Sequence, residues 1–248
     1  MEAEKALPIP PKLLNALADL ERALGHHFKE HAYLVTALTH SSYSYEEQTA
    51  SNERLEFLGD AVLGLSIAEE LYKEEPAISE GRMTKLRAAI VCEGTLSELA
   101  RDLNLGDLLR LGHGESKSGG GTKDSNLADA MEALIAAVYL DSDYPTCSAM
   151  VRRLFAPYKE LALADRLSHD YKTQLYEYVQ SIPKSGALKL SLLREEGPVH
   201  DRTFTSAYEW QGRRATGQGK SKKQSEQAAA RELLHSLGLS AFGKRRER

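Results

Sequence analysis

The chain has 248 residues, 42% hydrophobic and 27% charged, with a formal net charge of −4 at pH 7. That is ordinary for a globular protein with room for one large domain or a large and a small one. No apolar run approaches the roughly 20 residues that span a bilayer. The acidic N-terminus, Met-Glu-Ala-Glu, lacks the basic start and apolar stretch of a secretory leader. Cys92 and Cys147 have no paired spacing, which argues against a disulfide framework or a thiolate zinc site and makes a reducing cytoplasm the expected compartment.

From the N-terminus the pattern is helical for about 165 residues. Leu13, Leu14, Leu17 and Leu20 recur at helical spacing ahead of Gly25, and residues 34–38 begin a second periodic stretch. His27 and His31, at i and i+4, carry no HExxH motif and suit a solvated helix end better than a metal. A long helix is predicted from near Asn52 towards Tyr72, stopping before Pro76. Within it Glu53, Glu56 and Asp60 fall in one narrow sector, at about 100° per residue. Leu55, Leu58, Val62 and Leu65 are predicted as the opposing, core-facing stripe. Three carboxylates on one face repel each other unless a cation sits among them.

Further helices are predicted over residues 79–92 and 95–103, the second ending near Asn104 and Gly106. Residues 112–121 are half glycine and read as a flexible loop without the Gly-Lys-Ser/Thr of a phosphate-binding loop. Asp124 or Ser125 should cap a helix that runs to about Leu140. This helix places Asp129 and Glu132 on one face and Leu127, Met131, Leu134 and Val138 on the other. If the two apolar stripes share a core, Glu56, Asp60, Asp129 and Glu132 form an all-oxygen site, which selects Mg²⁺ or Mn²⁺ over zinc. Spacing alone also suits two solvated acidic faces. A last helix covers residues 146–161. Cys92 reads as packed among apolar neighbours.

The pattern changes after Leu167. A short helix over 173–180 is followed by strands over 188–193 and 203–210, a Gln211-Gly212 turn and a third strand to about Gly217. Ser221-Lys-Lys-Gln224 is a capping box, opening a helix with Ala229, Ala230, Leu233, Leu234 and Leu237 that closes at Gly238. Trp210 reads as a strand anchor. The order is α-β-β-β-α. Charge divides with it: residues 169–248 carry 15 Lys+Arg against 9 Asp+Glu, and residues 1–168 carry 17 against 27. A basic module beside an acidic body suggests an anionic partner.

The stretch Asn-Glu-Arg-Leu-Glu-Phe-Leu-Gly-Asp-Ala-Val-Leu at 52–63 resembles the signature of the ribonuclease III family. Ala37-Leu38-Thr39-His40-Ser41-Ser42, Glu80-Gly81 followed by Met83 and Leu86-Arg87-Ala88, the glycine segment from Leu111 to Gly120, and Asp124 to Leu134 are similar to its other motifs, in the same order. The resemblance implies a mainly α chain: an all-helical nuclease domain over 8–160, a linker over 161–168, a small α+β (α-β-β-β-α) double-stranded RNA-binding domain over 169–239, and a basic tail over 240–248. It implies a divalent-metal site of Glu56, Asp60, Asp129 and Glu132, with Asp60 and Glu132 catalytic and Glu53 and Glu80 secondary. Mg²⁺, with Mn²⁺ as a substitute, is the implied cofactor, without an organic one.

The same resemblance implies a homodimer away from any membrane that cleaves double-stranded RNA by metal-activated water. The ends would be 5′-phosphates and 3′-hydroxyls with short 3′ overhangs, and the substrates precursors of ribosomal and messenger RNA. Residues near Phe57, Leu58, Met83 and Ile90 are candidates for the dimer interface. RNA contacts fall by likeness on Glu177, Gln180, Pro198, His200, Lys220, Lys222 and Lys223. Apart from the resemblance, Lys117 in the glycine segment is a candidate RNA contact, and Lys123 suits a phosphate neighbour or an exposed charge equally. Such modules read A-form shape across the minor groove. Tyr176 departs from the usual glutamine, Tyr171 from a proline, and Glu226 stands where many modules of this wider class carry a lysine. A duplex-RNA binder without turnover and a phosphohydrolase of small nucleotides are the alternatives; the acidic set argues against the first and the RNA module against the second.

Overall fold

The computed structural model describes residues 11–74, 76–164, 167, 170–183, 186–197 and 202–239. Pro198, His200 and the tail over 240–248 lie outside them. The chain falls into two compact units that divide after Leu167. The first contains α1 (Pro11–Leu24), α2 (His31–Ala37), α3 (Ser41–Glu47), α4 (Glu53–Glu74), α5 (Glu80–Ile90) and α6 (Glu93–Asp102). It continues with the short α7 (Leu105–Leu108) and α8 (His113–Lys117), a 3-10 turn (Gly120–Thr122), α9 (Asp124–Asp141) and α10 (Tyr144–Leu163).

Helix α9 is the axis of this unit. Its residues 126–128, 130, 131 and 133–138 are buried, so it is covered on nearly every side instead of along one stripe. The alanines at 128, 130, 133, 136 and 137 let neighbours come close. Its last residue, Asp141, is buried and accepts hydrogen bonds from the backbone N–H of Lys29 (3.0 Å) and Glu30 (2.8 Å) and pairs with His26 Nε2 (2.8 Å). That carboxylate pins residues 26–30 as a loop. His27 therefore sits in the loop, not on a helix end, with its Nδ1 2.7 Å from Glu21.

Two sequence expectations fail here for one physical reason, the use of glycine for close approach. The buried arc of α4 runs through Leu55, Gly59, Val62, Leu63, Ser66, Ile67, Glu70 and Leu71. Leu65 is 56% exposed and Leu58 only half-buried, so the predicted leucine stripe is rotated from the real one by roughly a quarter turn. Gly59 sets the true face: a methyl there would stand 1.9 Å from the carbonyl oxygen of Glu132, so α4 and α9 touch backbone to backbone. The core consequently borders the carboxylates of α4 instead of lying opposite them. Ile90 is fully buried in this core, which removes it from the candidate interface residues.

The glycine segment is likewise not a free loop. It contains α8 and the 3-10 turn, braced from both sides. Gly112 N donates to Ser42 Oγ (2.9 Å) and His113 N to Glu46 Oε1 (2.9 Å). Glu115 Oε1 accepts from Lys123 Nζ (2.7 Å) and Asn126 Nδ2 (2.8 Å). Lys123 is thus spent inside the unit. It is also the N-cap residue of α9, without a side-chain cap, so neither Asp124 nor Ser125 caps the helix; Asp124 instead pairs with Arg101.

The second unit contains α11 (Tyr171–Ser181), β1 (Lys189–Glu196), β2 (Thr203–Trp210), β3 (Arg213–Gly219) and α12 (Lys222–Ser236). The strands form one antiparallel sheet in the order β1-β2-β3. Gln211 and Gly212 both have positive φ (48° and 76°), which suits the two-residue hairpin turn between β2 and β3. Leu175, Val179, Tyr208, Trp210, Ala229 and Leu233 are among the residues of its core. Ser221 Oγ accepts from Gln224 N, capping α12 as predicted. Just past its end Gly238 takes positive φ (73°), and Leu239 N donates to Leu234 O (2.9 Å).

The α4–α9 contact predicts that Gly59→Ala destabilises the first unit severely. Overpacking typically costs about 1–3 kcal/mol, and a backbone carbonyl cannot step aside as a side chain can. A Tm lower by roughly 6–12 °C is expected by calorimetry, taking the upper figure at about 2–4 °C per kcal/mol. Gly81→Ala, with open space around the new methyl, should leave Tm almost unchanged.

Candidate active site

The Gly59–Glu132 contact brings two short acidic segments onto one rim. The first turns of α4 supply Glu53, Glu56 and Asp60, and α9 supplies Asp129 and Glu132. Glu53 and Asp60 are exposed; Glu56, Asp129 and Glu132 are half-buried. The half-buried three therefore stand where solvent meets core, able to face a substrate but too poorly hydrated to carry charge without cost.

Their proton affinities record this. Burial pushes Glu132 up to about 8, with further repulsion from Asp60, Glu56 and Asp129. Burial also raises Glu56 above the usual carboxylate range, reinforced by Asp129, Glu53 and Asp60. Asp129 is raised by burial and then by Glu93, in the first turn of α6. Glu93 is the acidic neighbour that the sequence reading misses; α6 packs on α9, but nothing in the local pattern of α6 says which helix it meets. Of the residues expected in secondary roles, Glu53 joins the charged set and accepts a bond from Ser51 Oγ (2.9 Å). Glu80 opens α5, exposed, and accepts from Thr84 Oγ1 (3.0 Å); it is not among the charges acting on Glu56, Asp129 or Glu132.

The donor chemistry suits a hard divalent cation. All four central donors are carboxylates, and their mutual repulsion calls for positive charge. As the side chains stand, no three His, Cys, Asp or Glu among the described residues are gathered tightly enough to hold an ion. The set shares one rim without closing on one point.

In the second unit, Glu177 and Gln180 are exposed on α11, and Lys220, Lys222 and Lys223 are exposed at the start of α12. The Lys222 ammonium lies 6.0 Å from the centre of the Phe204 ring. A groove of about 530 Å³ runs between α11 and α12, with Glu177, Gln180 and Lys223 in its lining. Tyr176, also in that lining, sets its ring edge-on to the buried Tyr208 at 6.3 Å. Its aromatic body thus anchors α11 to the sheet in place of offering an amide to a ligand. Trp210 is buried and packs edge-on against Tyr178 at 5.9 Å, an anchor as expected.

Comparison with known proteins matches both units. A ribonuclease-III-like family model covers residues 30–158, and the double-stranded RNA binding motif covers residues 171–237. Ribonuclease 3 of Caldanaerobacter subterraneus subsp. tengcongensis is 47% identical over 226 residues, 90% of this chain and 99% of that protein. Ribonuclease 3 of Clostridium acetobutylicum is 45% identical over 223 residues, 89% of this chain and 96% of that protein. The solved nuclease domain of ribonuclease III from Campylobacter jejuni, described for structural flexibility in a region involved in dimer formation, superimposes with a TM-score of 0.54. It is 40% identical and covers 56% of this chain and 95% of that domain. The chain belongs to the ribonuclease III family, its first unit carrying the ribonuclease-III-like domain and its second the double-stranded RNA binding motif.

Proposed function

We propose that the protein is an endoribonuclease that hydrolyses double-stranded RNA on its first unit and grips the duplex with its second. The observation that carries this reading is the rim where Glu56, Asp60, Asp129 and Glu132 repel one another across two helices. These four are the proposed metal ligands, with Asp60 and Glu132 the residues most needed for chemistry. Mg²⁺, with Mn²⁺ as a substitute, is the proposed cofactor, and among these oxygens it would supply the charge that eases ionisation of an attacking water and offsets charge on the phosphoryl group. Asp60 stands exposed at the rim, within reach of a strand, while Glu132 must give up its proton before its oxygens can serve as ligands. The products would be 5′-phosphate and 3′-hydroxyl ends, and the substrates structured precursors of ribosomal and messenger RNA.

A homodimer is part of this reading. Phe57 (82% exposed), Leu65 and Tyr72 (74% exposed) leave one side of α4 apolar and open. The related Campylobacter domain has a region involved in dimer formation. Two sites related by a two-fold axis would cut both strands at an offset and leave short 3′ overhangs. Among the described residues no helix is long and apolar enough to cross a membrane, and the cytoplasm is the proposed location.

Incubation with long duplex RNA tests the reading directly. Shortening to small duplexes with Mg²⁺, and none with chelator, is expected; retarded but intact RNA under both conditions would reduce the protein to a binder. Glu132→Ala should abolish cleavage while duplex binding persists, and full activity in that variant would remove Glu132 from the site.

The pH dependence has a fixed sign. Glu132 holds its proton up to about 8 in the fold, against 4.5 for the ordinary group. Between these values the unfolded chain has released a proton that the folded chain keeps. The metal-free protein should therefore lose stability as pH rises from about 5 through about 8, then level off. Glu132→Gln should flatten that decline in a series of thermal melts.

In the second unit, Lys222→Ala and Lys223→Ala should each weaken duplex binding with little sequence dependence. Each should lower the slope of log K against log salt by about one. An unchanged slope would place both lysines away from phosphate.

A further inference from the structure

Within the groove between α11 and α12, the Lys172 ammonium lies 2.6 Å from Glu226 Oε2. Neither group is sequestered, their side chains being 40% and 24% exposed. The same groove carries Glu177, Gln180 and Lys223, which the family resemblance implies as RNA contacts. Its lining holds two ammonium groups and three carboxylates, those of Asp170, Glu177 and Glu226. A surface meant to receive a polyanion thus spends one of its two cations internally.

We infer that Glu226 limits the affinity of this protein for duplex RNA by withholding the Lys172 ammonium from phosphate. This rests on the reading that the second unit binds duplex RNA. Glu226 occupies Lys172 as a phosphate oxygen would, at charge-assisted hydrogen-bond distance. Because the pair is partly solvated, it is weak as a structural element, and its effect falls on the surface charge presented to a ligand. The adjoining residue does the structural holding. Gln227 Oε1 accepts from Lys172 N (3.1 Å), and Gln227 Nε2 donates to Asp170 Oδ1 (2.8 Å). Asp170 in turn caps α11 through Thr173 N (3.2 Å). Those contacts tie α12 to the start of α11 without the Glu226 charge, so Glu226→Gln removes the competitor and leaves the clasp.

The test is duplex-RNA binding by the full chain in chelator, which prevents cleavage, across a salt series. Glu226→Gln should bind about three- to tenfold more tightly at low salt, with a log K against log salt slope steeper by about one. Glu226→Asp should keep the slope of the unaltered chain. Lys172→Met alone should leave the slope unchanged, because that cation is already withheld. Lys172→Met combined with Glu226→Gln should return the slope to its original value. Thermal melts of all four variants should agree with the parent within a few degrees. The proposal is overturned if Glu226→Gln leaves the slope unchanged, if it steepens the slope equally with Lys172 absent, or if Lys172→Met alone flattens it. Failure of the unaltered chain to retain duplex RNA at any salt would instead bring down the reading of the second unit, and this inference with it.

Discussion

Everything at the acidic rim depends on one backbone contact, Gly59 against the carbonyl of Glu132. Any side chain at 59 holds α4 away from α9, and the separation is then set by that side chain instead of by two bare backbones. With glycine there, the residues on either side of the contact are brought to the same place: Asp60 follows Gly59 directly, and Glu132 owns the carbonyl. Glu56 and Asp129, each one helical turn earlier on its own helix, are carried along by helical geometry. A single missing Cβ thus converts two separate acidic patterns into one shared field.

That field differs from the way the fold treats its other carboxylates. Glu70 is buried against Lys159 at 2.6 Å. Glu115 is held by Lys123 and Asn126, and Asp141 by two backbone N–H groups and His26. Glu115 and Asp141 sit below their ordinary proton affinities because these partners outweigh desolvation. At the rim the sign reverses. Glu56, Asp129 and Glu132 are raised, and after burial the causes are other carboxylates. A fold that pairs Glu70, Glu115 and Asp141 this carefully, yet sets four carboxylates against each other in one place, is giving up stability where the proposed chemistry requires it.

How much of this was legible in the sequence follows from which interactions are local. The helix–strand order of the second unit was readable because turns and caps act within a few residues. Gln211-Gly212 takes positive φ twice, and Ser221 caps its own helix. The acidic residues were legible as well, through spacing on each helix and the family resemblance. What the sequence did not reveal is where one element meets another. The leucines of α4 suggested one buried face, and Gly59, which carries no hydrophobicity to count, dictated another. Glycines at 112 and 120 suggested flexibility, whereas a Cβ at either would collide with Glu46 or Glu115. Glu93 stayed hidden because its relation to Asp129 exists only after α6 packs on α9. In each case a glycine or an exposed acid was given its average meaning, and long-range packing decided otherwise.

The two units answer opposite halves of one electrostatic problem. A site made of carboxylates repels the polyanion it is proposed to cut, and residues 1–168 carry ten more acidic than basic groups. Attraction must therefore come from elsewhere, and residues 169–248 carry an excess of six basic groups. Within that second unit the attraction is itself tempered: Glu226 answers Lys172, and Asp170 feels the charge of Lys223. A surface of unopposed lysines would hold any nucleic acid, cut or uncut, single or double. Opposed charges leave a weaker pull, so binding depends more on how many contacts a ligand can make at once. If a duplex of A-form geometry meets helix α11 and the start of α12 together, as proposed, a flexible single strand would gain less from each. On the proposed reading, selectivity for duplex over single strand would arise from subtraction of charge as much as from its presence.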